Sequence, residues 1–392
     1  MPLARRTRTA PPPKLGPRGR MERQFLRILG ARGGPNRRVH LRRPTVREGQ
    51  VLDAPTQAML ALRDRLQYPA WHEQPVEQAR RTLRHEAVVA SGRPIAVGAA
   101  DALRVDGAAG PLDARLYRPG GAHNPALTWQ PAGERLPLLL FFHGGGFVLG
   151  DLDSHDALCR LLCASAGILV LSVDYRLAPE HPWPAAPDDA FAAWRWVVEH
   201  AEGLGADSER LALGGDSAGG NLAAITAQAV RDHGGVQPAG QLLLYPAVDW
   251  SREYASRVAF GHGFYLEGAS MDWCEHHYLG VPGTPGAVDR TDVRVSPLLG
   301  DLRGLAPALV VTAGFDPLRD QGEAYVEALR EAGTPVLGRR MPDLIHGFGN
   351  TPGVGRRSRE AMLEVAALLR GMLEIAPARD RAAAGERAGA AH

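Results

Sequence analysis

The chain has 392 residues, 45% of them hydrophobic and 22% charged, which suffices for a large buried core and is ordinary for a soluble protein. Its formal net charge of +2 conceals two unlike parts, because the first 50 residues hold 14 of the 45 Lys and Arg but only 2 of the 43 Asp and Glu. The remainder has 31 basic against 41 acidic residues, a net of −10, which argues against a nucleic-acid groove.

Residues 1–50 are rich in Arg, Pro and Gly and poor in apolar side chains, so a basic extension without stable structure is expected there. Within it, residues 21–29 place Phe25, Leu26, Ile28 and Leu29 on one short amphipathic turn. A solvated tail is expected in preference to a membrane-surface anchor or targeting peptide. Residues 51–92 then read as helices. Residues 102–105 and 112–117 read as an antiparallel pair around Asp106-Gly107, and a loop rich in Gly, Pro and Asn leads to the doubly apolar run 136–142.

Further apolar strands are expected at 168–173, 211–213, 241–244, 308–312 and 336–341. Helical patterns at 154–166, 187–201, 218–231, 319–332 and 358–373 lie between or after them. This alternation predicts an α/β fold, a mostly parallel central sheet with helices on both faces. One segment, 248–295, breaks the alternation and reads as a small helical insertion whose aromatic residues either pack onto the body or form a lid. Residues 377–392 read as a frayed, flexible tail. Cys159, Cys163 and Cys274 suit neither a metal cluster nor a disulfide framework and are read as packing residues. No run reaches membrane-spanning length and Arg5-Arg6 precedes no apolar signal core, so a cytoplasmic location is expected.

The chemistry concentrates where strands end. Gly215-Asp216-Ser217-Ala218-Gly219 lies between an apolar strand and a helix, the setting in which a tight turn exposes a serine hydroxyl as a nucleophile. His143-Gly144-Gly145-Gly146-Phe147 follows the 136–142 strand, and its bare backbone N–H groups, with that of Ala218, suit a developing oxyanion. A serine at its ordinary pKa needs a base, and the base needs a carboxylate to orient it, in the chain order Ser, Asp, His. Asp316 and His346 each follow a strand in that order. Asp320 falls inside the next helix, and Asp343 lies three residues before His346 with no reason to align with its ring. His262, His276 and His277 lie in the insertion and His181 in a proline-rich turn, so they make weaker bases. Asp216 is read as supporting the neighbouring backbone.

Taken together, HGGGF at 143–147, DYRLAPEHPWPAA at 174–186, GDSAGGN at 215–221, DPLRD at 316–320 and HGF at 346–348 resemble the hormone-sensitive-lipase family of α/β-hydrolases, in its bacterial esterase group. The resemblance spans about residues 51–373. It implies an α/β-hydrolase fold over 51–376 with a helical cap formed by about 51–92 and 248–295. It also implies the triad Ser217, Asp316 and His346, with Gly144, Gly145 and Ala218 as oxyanion donors. Gln321, where the family often has Glu, and Asp343, in a usually apolar approach to the histidine, depart from the pattern without touching the triad. The 174–186 stretch is read as bracing the loops behind the glycine turn.

The expected activity is hydrolysis of short- to medium-chain carboxylic esters through an acyl-serine, with no cofactor required. The expected partner is a small-molecule ester, with no nucleic acid and no stable membrane insertion; a homodimer is left open. A lactone, an amide or a sugar acetate shares the same tetrahedral chemistry, and a non-catalytic ligand-binding protein on the same fold is the alternative of another class.

Overall fold

A computed structural model of the chain describes residues 7–9, 13–30, 43–120 and 135–389. After strand β1 (Thr7–Thr9), helix α1 (Pro17–Gly30) precedes a small ribbon, β2 (Val46–Arg47) with β3 (Gln50–Val51). Helix α2 (Ala54–Arg65) starts where the Asp53 carboxylate accepts the Thr56 N–H at 3.0 Å, satisfying an otherwise unpaired donor of the first turn. Helix α3 (Val76–Ala90) follows and buries Ala79, Leu83 and Ala87 at helical spacing.

The antiparallel pair β4 (Ala99–Gly107) and β5 (Gly110–Arg118) leads to β6 (Leu136–Phe142). Then come α4 (Asp156–Ala166), β7 (Leu169–Val173), α5 (Ala185–Leu204), β8 (Ala206–Asp216), α6 (Ala218–Asp232) and β9 (Gly240–Leu244). The insertion holds α7 (Ala255–Phe260) and α8 (Gly268–Leu279), after which β10 (Ala308–Phe315), α9 (Arg319–Glu331), β11 (Val336–Ile345) and α10 (Arg357–Gly389) complete the chain.

One nine-stranded sheet runs in the order β1-β4-β5-β7-β6-β8-β9-β10-β11. From β7 to β11 every pairing is parallel, and the three at the other edge are antiparallel. Strand β6 is apolar on both faces because both are covered, as parallel strands require. Leu138, Leu140 and Phe142 face the larger core with α5 and α6, while Leu139 and Phe141 face the second with α4 and α10. The expected α/β sheet is therefore present, with extra helical segments as a cap, of which α2, α3 and α8 contribute to the wall of the cavity at the strand ends.

Two terminal expectations are corrected. Residues 17–30 form a helix docked on the cap, where an unstructured extension with one amphipathic turn was expected; residues 31–42 lie outside the described part. The helix persists because Leu26 is buried against Val89, Ala90 and Val354, an apolar contact that local composition does not reveal. At the other end α10 continues to Gly389 where a frayed tail over 377–392 was expected, in keeping with the helix-favouring Ala, Arg and Glu of its last turns; residues 390–392 lie outside the described part.

Candidate active site

The nucleophile elbow owes its shape to two glycines. A Cβ on Gly219 would lie 1.9 Å from the carbonyl oxygen of Phe142, and one on Gly215 would lie 2.3 Å from the carbonyl carbon of Gly219. Only hydrogen at these positions lets α6 leave β8 hard against β6. Ser217 sits between them at φ 56°, ψ −117°, a conformation that costs a non-glycine residue about 1–3 kcal/mol. It is held there by its N–H to the Leu244 carbonyl at 2.8 Å and by its own carbonyl, which accepts from Asn221 at 3.1 Å and Ala247 at 3.2 Å.

The strand ends bring the expected partners to this serine. His346, just after β11, places Nε2 3.0 Å from Ser217 Oγ and Nδ1 2.9 Å from Asp316 Oδ2. Asp316, just after β10, is fully buried, and its other oxygen accepts the Leu318 N–H at 2.8 Å. The Tyr245 ring stands edge-on to the imidazole, with 4.8 Å between ring centres. The rival residues are used elsewhere. Asp320 accepts the Ser256 N–H at 2.8 Å and pairs with Arg319, while Asp343 pairs with Arg357 at 2.7 Å. His181, His262 and His276 are exposed to solvent. Gln321 is also occupied, its amide oxygen accepting the N–H groups of Val248 at 2.6 Å and Asp249 at 3.0 Å, where the insertion begins.

The glycine turn requires one correction. The N–H of Gly144 donates to Asp216 Oδ1 at 2.9 Å and so points away from the reacting atom. Gly145, Gly146 and Ala218 line the cavity beside Ser217, whereas Gly144 does not. The third glycine, Gly146, not singled out from the sequence, thus lines the cavity where Gly144 does not, and the run of three was the available signal. Gly145 has φ +122° and a Cβ there would meet the Leu149 carbonyl oxygen at 2.2 Å; one on Gly146, at φ +62°, would meet Cys274 Sγ at 2.6 Å.

Behind the turn lies a buried polar cluster. Asp216 also pairs with His155 Nε2 at 3.2 Å, and His155 Nδ1 lies 2.9 Å from Ser154 Oγ. Ser154, His155 and Asp216 thus make a second hydroxyl–imidazole–carboxylate string, but Ser154 is buried and not on the cavity wall, its hydroxyl donating to the Asp151 carbonyl. Burial alone would raise the Asp216 carboxyl; the His155 imidazole and the Gly144 N–H outweigh it and hold the group below the usual carboxylate range. His143 is pushed down to about 4, by burial first and by His155 second. Tyr175 donates to the His143 carbonyl at 2.7 Å and stacks on its ring at 4.4 Å, and none of residues 174–186 lines the cavity, in accord with a bracing role.

Above Ser217 and His346 is a cavity of about 150 Å³. The insertion supplies Trp250, Leu266 and Met271 to its wall, so part of that segment does cover the site. Phe260 and Phe264 instead pack on Phe315 beneath it. Polar side chains that sequence reasoning did not single out also reach the wall: Glu22, Arg63, Tyr68, His85 and Glu86. The adjacent His85-Glu86 pair in the otherwise apolar end of α3 was the signal for two of them. Arg63 Nε donates to Glu86 at 2.8 Å; burial pushes the Glu86 carboxyl up and that guanidinium opposes it. All three cysteines are free and buried.

This fold, with a hydroxyl, an imidazole and a carboxylate at three strand ends beneath a cap, defines a serine hydrolase of the α/β type. The profile of the alpha/beta hydrolase fold family matches residues 139–350. The chain is 50% identical over 277 residues to the carboxylic ester hydrolase LipN of Mycobacterium tuberculosis, covering 69% of this chain and 70% of that protein. It is 40% identical over 299 residues to an ethyl acetate hydrolase of Pseudomonas putida, covering 75% and 89%. Among solved structures, the ester-hydrolase EH1AB1 from the metagenome of Lake Arreo superposes with a TM-score of 0.75 at 42% identity, over 82% of this chain and 98% of its own. The chain belongs to the α/β-hydrolase family, in the hormone-sensitive-lipase group of bacterial esterases.

Proposed function

We propose that Ser217, His346 and Asp316 are the catalytic triad of a carboxylesterase acting on short- to medium-chain esters, with Gly145, Gly146 and Ala218 as its oxyanion donors. The observation that carries the assignment is the continuous path from Ser217 Oγ through His346 to the buried Asp316 at the floor of the cavity. His346 Nε2 takes the Ser217 proton as Oγ attacks the ester carbonyl, and Asp316 holds Nδ1–H and stabilises the imidazolium. The carbonyl oxygen becomes negative in this step, and backbone donors already aimed at it need no reorganisation. His346 then returns the proton to the leaving alcohol, and water repeats the cycle on the acyl-serine.

The alcohol, acyl group and water account for every atom, so these residues suffice for the chemistry. The names of the relatives, an ethyl acetate hydrolase among them, favour small carboxylic esters as substrate over amides or lactones. We assign the catalytic domain to residues 51–376, with 51–92 and 248–295 as cap. Three free, buried thiols support a cytoplasmic setting. Among the described residues no helix is long and apolar enough to cross a membrane. The acidic balance after residue 50 supports a small-molecule partner over nucleic acid.

The test is hydrolysis of p-nitrophenyl esters from acetate to palmitate by the wild type and by Ser217→Ala. The expected outcome is a rate maximum among the shorter esters and a fall in kcat of roughly 10⁴-fold or more in the variant. An equally active variant would remove Ser217 from the mechanism.

A further inference from the structure

Helix α1 contributes to the same cavity that holds Ser217 and His346, through Glu22 and Leu26. Neither residue belongs to the stretch that carries the family motifs. The helix is attached by one face only. Leu26 is buried against Val89, Ala90 and Val354, with Met59 and Leu62 of α2 packed around it. Glu22 is a buried anchor, with Oε2 2.7 Å from His85 Nε2 and Oε1 accepting from the Tyr68 hydroxyl at 2.9 Å and from Arg18 at 2.8 Å. The Arg23 guanidinium donates to the Val88 carbonyl at the end of α3. Gly19 allows the close approach, since a Cβ there would lie 3.0 Å from the His85 ring. The neighbours Met21 and Phe25 point the other way, 69% and 45% exposed.

A helix attached in this way acts on the site through what it shows the cavity, which is one leucine side chain and one carboxylate already bonded. Around Leu26 the wall continues as Met59, Leu62, Leu66, Leu83 and Val89, all suited to a hydrocarbon chain. The polar groups there are engaged with one another, Glu86 with Arg63 and Glu22 with His85 and Tyr68. Lining of this kind excludes by size more than it selects by charge.

We propose that α1 is an added wall of the ester pocket, latched by Glu22, and that Leu26 sets the length of the acyl chain the enzyme accepts. The inference rests on the esterase reading above. Its test uses the full chain carrying Leu26→Ala, Leu26→Trp or Glu22→Gln, assayed with p-nitrophenyl butyrate and decanoate. Leu26→Ala is expected to raise the decanoate-to-butyrate ratio of kcat/KM by about three- to tenfold, and Leu26→Trp to lower it by a similar factor. Glu22→Gln loosens the latch and is expected to move the ratio in the same direction as Leu26→Ala.

A helix with only a structural role would change both esters alike. Ratios that stay within about twofold in all three folded variants overturn the proposal, and should Leu26→Ala not fold, Leu26→Trp and Glu22→Gln decide it. Binding of decanol, followed by calorimetry in the same variants, reads the wall without turnover. Failure of the wild type to hydrolyse any ester therefore sinks the esterase reading, while an unmoved decanol affinity in all three variants sinks the wall.

Discussion

At the scale of single residues, the site depends on where backbone N–H groups point. Gly144 has turned its N–H to Asp216, which orients the turn so that Gly145 and Gly146 face the cavity. Gly146 faces Cys274 of α8 so closely that a methyl group has no room. Gly146→Ala is therefore expected to displace the donor and lower kcat by about 10²-fold, with a smaller change in KM, because the oxyanion exists only in the transition state. Steady-state kinetics on a single short ester checks this. An unchanged kcat would remove Gly146 from the oxyanion hole and return the role to other donors.

Between elements, one arginine joins the cap to the catalytic body. Arg80 on α3 donates from Nε to the Val148 carbonyl and from Nη2 to the Ala178 carbonyl, each at 2.8 Å, and forms a two-pronged pair with Glu180 at 2.9 and 2.7 Å. Glu180 is half exposed, so the ion pair itself contributes little. The two carbonyls matter more, since Val148 and Ala178 are fully buried and Val148 lies two residues beyond the last glycine of the turn. Arg80→Met keeps most of the hydrocarbon stem but leaves both carbonyls unpaired, at a cost of about 1–3 kcal/mol. Urea unfolding is expected to show this loss together with a fall in kcat/KM, because the cap edge and the glycine turn share the same anchor.

For the molecule as a whole, the buried histidines couple stability to acidity. The folded chain holds His143 neutral down to about pH 4, whereas in the unfolded chain it takes up a proton near its ordinary pKa of 6.5. The unfolded state therefore binds more protons between these values, and this residue makes stability fall as pH drops from 6.5 toward 4, with no further contribution below or above. His143→Gln, although less stable overall, is expected to show a shallower dependence of Tm on pH across that window. Equal slopes for the two proteins would show that other groups set the acid sensitivity.

Much of this architecture was readable from the chain because its signals are local. The doubly apolar run at β6, the small residues flanking Ser217, and the order of Ser217, Asp316 and His346 after successive strands all follow from side-chain chemistry and period. They determined the parallel sheet, the strand-end placement of the three groups and the family. The tertiary structure decided matters that rest on contacts between distant segments. Which glycine N–H faces the cavity depends on Asp216, which lies 72 residues from Gly144. Whether residues 17–30 fold depends on a pocket between α2 and α3 that accepts Leu26. A periodic pattern reports the face that is buried, but only the assembled sheet and cap determine what that face meets.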